Sequence, residues 1–207
     1  MSDVLCLFAK SPRRGAVKTR LAATIGDDAA LALYRRLGRQ VAEQLRLVRN
    51  AEVRVLFSPE EDESWVRAWL GDDLDYFAQR GDDLGTRMAN ALADAFAGGA
   101  RRVALVGCDA PELRAHHIET LLNELDRCDM VFIPADDGGY VAAGFARPVT
   151  GFLEGLRYGH TGVMAETWRR AAACGYRAQR LETQSDLDTA DDLKKFPEIA
   201  AWIASRS

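Results

Sequence analysis

Apolar and polar positions alternate along this chain with two different periods. Short runs rich in apolar residues predict β-strands at residues 4–9, 53–57, 74–77, 103–106, 130–133, 141–145 and 177–181. Between these runs, apolar residues recur every three or four positions. This spacing predicts amphipathic helices over residues 31–48, 65–70, 88–96, 118–125 and 164–174, with a further helical region after residue 189.

The alternation of strands and helices predicts the α/β class with a mostly parallel sheet. Residues 141–145 are an exception, because the gap after residue 133 is too short for a parallel crossover and predicts an antiparallel return. The chain has no internal repeat, no low-complexity tract and no linker long enough to split it. We therefore expect a single domain over residues 1–207.

Composition narrows the class of protein. The 207 residues carry a formal net charge of −4, and this acidic balance argues against a nucleic-acid-binding protein. The four cysteines lie far apart without a C-x-x-C pair. Neither a signal peptide nor an apolar run of membrane-spanning length is evident. These features predict a cytoplasmic protein without a membrane span.

Five cationic side chains follow the first predicted strand within eleven residues: Lys10, Arg13, Arg14, Lys18 and Arg20. Arginine offers planar, forked donors and lysine a point charge, and both suit phosphate groups. In an acidic chain, such local positive charge indicates a small anion as the ligand rather than a polymer. A solvated basic turn would give the same spacing, so both interpretations remain open at this point.

Other polar clusters also follow predicted strands: Asp109, residues 136–140, residues 186–188 and the loop at residues 82–85. Ligands of parallel α/β sheets bind beyond the carboxyl ends of the strands. We therefore expect these clusters and the basic loop to meet at one edge of the sheet, which favours a functional interpretation.

Two of the carboxylates could hold a metal. Asp109 directly follows an apolar strand, so it could hold a divalent cation against the phosphates of a ligand, with Asp188 as a second ligand. Asp109 would equally suit the cap of a strand-to-helix turn. Asp188 or Thr189 would suit the N-cap of the C-terminal helical region.

Asp136 and Asp137 stand beside Gly138 and Gly139, which would let the backbone approach a ligand closely. Either carboxylate could grip a sugar hydroxyl or act as general base toward an incoming nucleophile. An ordinary turn explains the same residues. The sequence contains no P-loop, no G-x-G-x-x-G after a strand and no G-x-S-x-G elbow, and its three histidines do not predict a metal site.

Five segments together resemble one known family, in the same order and over nearly the whole chain. They are residues 8–21, 81–88, 107–111, 134–140 and 186–193. The family consists of small bacterial proteins regarded as glycosyltransferases of the arsenosugar-biosynthesis type.

The resemblance implies a single-domain glycosyltransferase A-type fold, the nucleotide-diphospho-sugar transferase architecture. This is a three-layer α/β/α arrangement with a mostly parallel mixed central sheet. It implies that Asp109 and Asp188 lie at a metal, Mg²⁺ or Mn²⁺. The residues implied to meet the nucleotide and its phosphates are Ala9, Lys10, Arg13, Arg14, Lys18, Arg20, Asp83, Gly85, Gly138 and Gly139.

Two departures bear on the site. Related larger transferases carry D-x-D where this chain has Gly107-Cys108-Asp109, so metal affinity would depend on Asp188 and the substrate. The family tends to show a Trp-Ser-Thr stretch where this chain has residues 158–161, Tyr-Gly-His-Thr. Acceptor recognition is therefore not implied by the resemblance.

Three functions fit, in this order. The first is transfer of a sugar from a nucleotide-diphosphate sugar to a small-molecule acceptor, with Asp137 or Asp136 as the base and Lys18 stabilising the leaving group. The second is nucleotidyl transfer from a nucleoside triphosphate to a phosphorylated acceptor, with release of pyrophosphate. The third is a non-catalytic protein that binds a nucleotide or sugar phosphate. The identity of sugar, base and acceptor stays open, as does the oligomeric state, a homodimer included.

Overall fold

The computed structural model describes residues 2–149 and 151–206. Its seven strands are β1 Asp3–Lys10, β2 Ala51–Ser58, β3 Asp75–Ala78, β4 Val103–Gly107, β5 Met130–Pro134, β6 Tyr140–Phe145 and β7 Ala178–Arg180. Its α-helices are α1 Thr19–Ile25, α2 Asp27–Arg46, α3 Glu63–Leu70, α4 Leu84–Ala97, α5 Ala115–Glu124, α6 Val163–Ala173, α7 Ala190–Leu193 and α8 Pro197–Ala204. Within the described ranges, none of the helices combines the length and the apolar character needed to cross a bilayer.

The strands form one mixed sheet in the order β3-β2-β1-β4-β6-β5-β7. Four neighbouring pairs are parallel, namely β1 with β2, β1 with β4, β2 with β3, and β5 with β7. Strand β6 runs antiparallel to both β4 and β5, because the short link between β5 and β6 leaves no room for a crossover. The predicted mostly parallel sheet and its antiparallel return are both confirmed.

Each face of the sheet is covered by helices, which confirms the three-layer α/β/α fold. Successive residues of β1 point to opposite faces. Leu5 and Leu7 join a buried cluster with α2, α3 and α5, whereas Val4 and Cys6 join a second cluster with α4 and α6. Burial on both faces explains why β1 appears in the sequence as an unbroken apolar run. The assignment of residues 1–207 to a single domain stays a prediction.

A third apolar cluster fastens the C-terminal segment to the start of the chain. It joins α1 and α2 to α8, and its centre includes the fully buried Leu21 and Leu187. The prediction of one loop over residues 10–20 is wrong at its end, because the chain becomes helical at Thr19. The reason is packing: α1 is too short for its own periodicity to show, and burial of Leu21 holds it in place.

Close packing between α2 and α3 depends on a glycine. A Cβ atom at Gly38 would lie 2.1 Å from Cζ2 of Trp69. The Trp69 ring also lies against Tyr34, with ring centroids 5.1 Å apart, and its Nε1 donates to the carbonyl of Arg35 at 2.9 Å. Gly38 therefore sets how closely Trp69 can approach the helix that carries Tyr34.

We predict that Gly38→Ala lowers the free energy of unfolding. Alanine favours a helix over glycine by about 1 kcal/mol, but overpacking a full interior costs about 1–3 kcal/mol. The cost of the clash with Trp69 should therefore exceed the gain in helix propensity. Urea denaturation measures the difference. In a Trp69→Leu background the clash is gone, and Gly38→Ala should be neutral or stabilising there. A gain in stability from Gly38→Ala with Trp69 present would contradict the prediction.

Candidate active site

A cavity of about 680 Å³ opens beyond the carboxyl ends of β1 and β4. Strand β1 lies between β2 and β4. The sheet therefore grows to one side of β1 through β2 and β3, and to its other side from β4 onward. Ligands of open α/β sheets bind in such a crevice. The residues predicted from the sequence that line the cavity are Ala9, Lys10, Lys18, Arg20, Asp109, Asp137, Gly139 and Asp188.

The Lys18 ammonium group lies at the centre of this set, between two carboxylates. Nζ donates to Asp109 Oδ2 at 3.0 Å and to Asp188 Oδ1 at 3.1 Å, and the side chain is only 2% exposed. Burial by itself lowers the pKa of Lys18, but the charges of Asp109 and Asp188 outweigh it and raise the pKa above its ordinary value. Lys18 is therefore a buried, fully charged cation.

The backbone of Lys18 is also unusual. Its φ of 49° and ψ of 38° place it in the left-handed region, which costs a residue with a side chain about 1–2 kcal/mol. Its carbonyl accepts from Ala22 N at 2.8 Å, so this residue begins α1. The ion pairs and the buried start of α1 hold the backbone in this conformation.

Two local contacts bring Asp188 to Asp109 across the sheet edge. Leu187 N donates to the carbonyl of Asp109 at 3.3 Å, and the Leu187 side chain is fully buried in the third cluster. Thr189, not Asp188, caps α7 through a capping box with Asp192. The cap position is thus filled by Thr189, and the Asp188 carboxylate faces the cavity.

Asp188 has a second cationic partner, because Arg20 Nη2 also donates to its carboxylate. Burial raises the pKa of Asp188, but Lys18 and then Arg20 lower it by a larger amount, so the net shift is downward. Arg20 is 61% exposed, whereas Lys18 is not. The outer ion pair can therefore exchange with solvent while the inner one is shielded from it.

Asp186 lies in the same cavity, and the sequence analysis did not single it out as a site residue. Its Oδ1 is buried without a hydrogen-bond partner in the described part of the chain. Burial first, and then the charges of Asp137 and Asp109, raise the pKa of Asp186 to about 6. Asp186 and Asp188 are two residues apart, with the apolar Leu187 between them. Because alternate residues of an extended segment share a side, this spacing was a signal in the sequence that Asp186 lies beside Asp188.

Residues 136–139, here called the glycine loop, carry two carboxylates with different surroundings. Asp137 lines the cavity, and its Oδ1 accepts from Gly139 N at 2.8 Å. Asp136 instead binds Ser185 and Lys195. The hydrogen bonds from Lys195 and Ser185 lower the pKa of Asp136. Of the two predicted bases, the structure brings only Asp137 to the cavity wall.

Four predicted phosphate- and base-binding residues contact other parts of the protein. Arg13 pairs with the buried Asp62. Arg14 Nε lies 2.8 Å from Asp28 Oδ1. Asp83 caps α4 by accepting from Thr86 N at 2.9 Å, and a Cβ atom at Gly85 would lie 2.1 Å from the carbonyl oxygen of Leu153. All four lie outside the cavity lining, and their contact with a nucleotide stays a prediction.

Gly138 also lies outside the lining. Its φ is +87°, and a Cβ atom there would lie 2.1 Å from the carbonyl oxygen of Thr161. Its own carbonyl accepts from Met164 N at 2.8 Å. The glycine therefore lets the loop of Asp137 pack against the start of α6, and a role in ligand binding stays a prediction.

The cavity lining also includes polar side chains that were not among the predicted site residues: Gln79, Arg87, Tyr140, Tyr158 and His160. The hydroxyls of Tyr140 and Tyr158 lie 3.4 Å apart, and burial raises the pKa of Tyr140 to about 12. His160 Nδ1 accepts from Gly162 N at 3.0 Å. Arg87 lies on α4 and Tyr140 on β6, whereas Gln79, Tyr158 and His160 lie in loops, so only the fold brings them together.

Tyr34 ties the ends of β1 and β4 to α2. Its hydroxyl accepts from Lys10 N at 2.9 Å and donates to the Lys10 carbonyl at 3.1 Å. The Cys108 thiol lies 3.1 Å from the Tyr34 hydroxyl oxygen. Burial, followed by the neighbouring Cys108, raises the pKa of Tyr34 well above its ordinary value, so the hydroxyl stays neutral.

The donor set fits a hard divalent cation. Asp109 and Asp188 converge on one positively charged group, and Mg²⁺ usually takes one or two protein carboxylates and completes its shell with phosphate and water. Among residues 2–149 and 151–206 there is no group of three or more His, Cys, Asp or Glu side chains placed to hold a metal ion. Ligand oxygens would therefore have to supply most of the coordination.

We predict that Tyr34→Phe lowers the free energy of unfolding by about 1–3 kcal/mol, because it leaves the amide of Lys10 without its acceptor. Urea denaturation provides the measurement. Tyr176→Phe is the matched control, since the Tyr176 ring packs on Phe152 and its hydroxyl has no hydrogen-bond partner in the described ranges. Equal losses for the two variants would contradict the assigned role of the Tyr34 hydroxyl.

Comparison with known proteins agrees with this fold. A "putative nucleotide-diphospho-sugar transferase" from Desulfovibrio desulfuricans G20 is 33% identical, with a TM-score of 0.87 over 93% of this chain and 85% of that one. A CMP:2-keto-3-deoxy-manno-octonic acid synthetase complexed with CTP shares the fold at 15% identity, with a TM-score of 0.63 over 98% and 99% of the two chains. Rv0371C of Mycobacterium tuberculosis H37Rv, in complex with manganese, shares it at 18% identity, with a TM-score of 0.59 over 96% and 99%.

No curated protein matches the chain. Residues 40–160 match a family described as an uncharacterized protein conserved in bacteria, DUF2064. This range holds Asp109 and the glycine loop, and the 33% identity to the Desulfovibrio protein extends the likeness over most of the remaining chain. The arsenosugar association stays a prediction. From its sequence match and its fold, this chain is a member of the DUF2064 family.

Proposed function

We propose that the protein is a metal-dependent transferase that binds a nucleotide-diphosphate sugar and transfers the sugar to a small-molecule acceptor. The observation that carries the proposal is the buried Lys18 ammonium between Asp109 and Asp188 at the wall of a large open cavity. A diphosphate needs fixed positive charge as it leaves, which Lys18 would supply together with Lys10, Arg20 and a divalent cation on the two carboxylates. The 33% identical Desulfovibrio protein, named as a "putative nucleotide-diphospho-sugar transferase", supports the same class of donor.

The phosphate side of the site would be the end of β1 and the start of α1. Lys10 is exposed at the rim, Arg20 is largely exposed, and both line the cavity. Charged hydrogen bonds from such groups to phosphate oxygens are about twice as strong as neutral ones. These side chains would orient the diphosphate and stabilise the charge that develops on its leaving oxygen.

Asp109 and Asp188 would hold Mg²⁺ or Mn²⁺. Such an ion supplies Lewis-acid stabilisation of phosphate oxygens without a proton transfer. The manganese complex of the Mycobacterium tuberculosis protein of similar fold supports a divalent cation in this architecture. The cytoplasmic location and the small-molecule acceptor, both expected from the sequence, stay predictions.

Asp137 would act as the general base toward the acceptor hydroxyl. Its Oδ1 is fixed by Gly139 N, and its Oδ2 has no hydrogen-bond partner among the described residues, so this oxygen can accept the proton. Tyr140, Tyr158 and His160 line the adjoining wall and could hydrogen-bond the acceptor. A positioned base of this kind contributes about 10²–10⁴-fold to a rate.

Nucleotidyl transfer is the second candidate, and one observation favours it. The fold is shared with a synthetase that binds CTP, and a buried lysine beside two carboxylates would suit a triphosphate equally well. The two reactions differ in what they release. Nucleoside diphosphate from a sugar donor indicates glycosyl transfer, whereas pyrophosphate from a triphosphate indicates nucleotidyl transfer.

The deciding experiment incubates the protein with Mn²⁺ and a set of nucleotide sugars and nucleoside triphosphates, each with sugar and phosphorylated acceptors. Chromatography identifies the released product. We expect nucleoside diphosphate that appears only when an acceptor is present. Pyrophosphate alone would replace the first proposal by the second. Mn²⁺-dependent nucleotide binding without either product would favour a binding protein.

We predict that Asp137→Asn lowers kcat by about 10²–10⁴-fold and leaves donor affinity within about threefold, because the base acts on the acceptor. Steady-state kinetics and calorimetric titration of the donor separate the two effects. Asp136→Asn removes the same charge one residue away, from a carboxylate bound to Lys195. A loss of turnover in Asp136→Asn as large as that in Asp137→Asn would contradict the choice of Asp137 as the base.

A further inference from the structure

The most unusual charge arrangement in the molecule is a lysine placed where a metal ion would be expected. Asp109 Oδ2 and Asp188 Oδ1 both accept from Lys18 Nζ, at 3.0 and 3.1 Å. These two carboxylates are the ones that the proposed function assigns to the divalent cation. The same pair of oxygens therefore already binds a cation that belongs to the protein.

The lysine is enclosed, which makes this contact different from a surface ion pair. The chain has four lysines, and the other three, Lys10, Lys194 and Lys195, are exposed, whereas the Lys18 side chain is 2% exposed. Solvent and salt screen a buried pair much less than an exposed one. A divalent cation that approached both carboxylates would meet the unscreened positive charge of Lys18.

A phosphate group would remove this obstacle. Lys18 lies on the cavity wall together with Lys10 and Arg20, on the side that the proposed function gives to the diphosphate. A bound phosphate offers Nζ new acceptors, and the carboxylates are then free to bind a metal. Because linkage is reciprocal, a metal and a phosphate ligand that depend on the same lysine strengthen each other's binding.

We propose that Lys18 occupies the metal position in the ligand-free protein, so that a divalent cation binds Asp109 and Asp188 only together with a phosphate-bearing ligand that draws the ammonium group away. This rests on the proposed function for the identity of the ligand. The exclusion of metal from the ligand-free protein rests on the ion pairs alone.

Lys18→Met tests the exclusion, because methionine keeps most of the side-chain volume and removes the charge. Isothermal titration with Mn²⁺ alone should give at least tenfold tighter binding than in the unaltered protein. Lys194→Met is the matched control: it removes the same charge from a lysine that is paired with Asp191 at 2.7 Å and is 79% exposed, and it should change Mn²⁺ affinity less than twofold. Equal or weaker Mn²⁺ binding by a folded Lys18→Met variant would overturn the proposal, as would an equal gain in Lys194→Met.

A measurement on the unaltered protein keeps the test valid if Lys18→Met does not fold. With lysine labelled by ¹⁵N at Nζ, the enclosed ammonium of Lys18 should give a slowly exchanging signal that the three exposed lysines lack. Millimolar Mg²⁺ alone should leave this signal in place, and Mg²⁺ with a nucleoside diphosphate should shift it. A shift with Mg²⁺ alone would overturn the proposal. Neither measurement uses turnover, so a failure of the proposed transfer reaction would leave these results unaffected and would be seen separately in the product assay.

Discussion

The site is organised around one electrostatic interaction, the enclosed ammonium of Lys18 between Asp109 and Asp188. One positive and two negative charges from three distant parts of the chain meet at the edge of the sheet, and the enclosed ammonium is screened by solvent much less than a surface charge would be. Removing one partner of a buried ion pair leaves an uncompensated charge, which typically costs about 3–5 kcal/mol. Three features keep the charge triad of Lys18, Asp109 and Asp188 together. They are the left-handed backbone of Lys18, the direct turn from β4 to Asp109 and the packing of Leu187.

The strands, most of the helices and the antiparallel return could be predicted from periodicity and loop length, whereas the three-layer arrangement was implied by the family resemblance. The unbroken apolar run of β1 indicated a central strand, and the five residues between β5 and β6 allowed only an antiparallel return. The short helix α1 was missed, since burial of Leu21 stabilises it and a pattern of seven residues does not. The strand ends also indicated correctly where the cavity would lie, because parallel sheets collect ligands there.

The individual side chains of the site were harder to predict, because a residue type does not tell which way a side chain points. Arg13 and Lys18 belong to the same basic loop, yet Arg13 pairs with Asp62 and Lys18 faces the cavity. Asp136 and Asp137 are adjacent, and only the second reaches the wall. Tyr140 on β6 and Tyr158 in a loop are brought together only by long-range packing. Such contacts leave no local signature in the sequence, whereas Asp186 could have been found from its spacing to Asp188.

The hydrogen bond from Leu187 N to the carbonyl of Asp109 has a consequence for how the site comes into being. It supports the ion pair between Lys18 and Asp188, which spans 170 positions of the chain, and a contact between such distant residues requires the intervening chain to be ordered first. The carboxylate of Asp188 therefore reaches Lys18 only after α7 and α8 have docked on α1 and α2. During synthesis, a nascent chain that has already completed its central sheet would still lack the charge triad. The charge triad is therefore complete only when the segment that carries Leu187 and Asp188 has packed against α1 and α2.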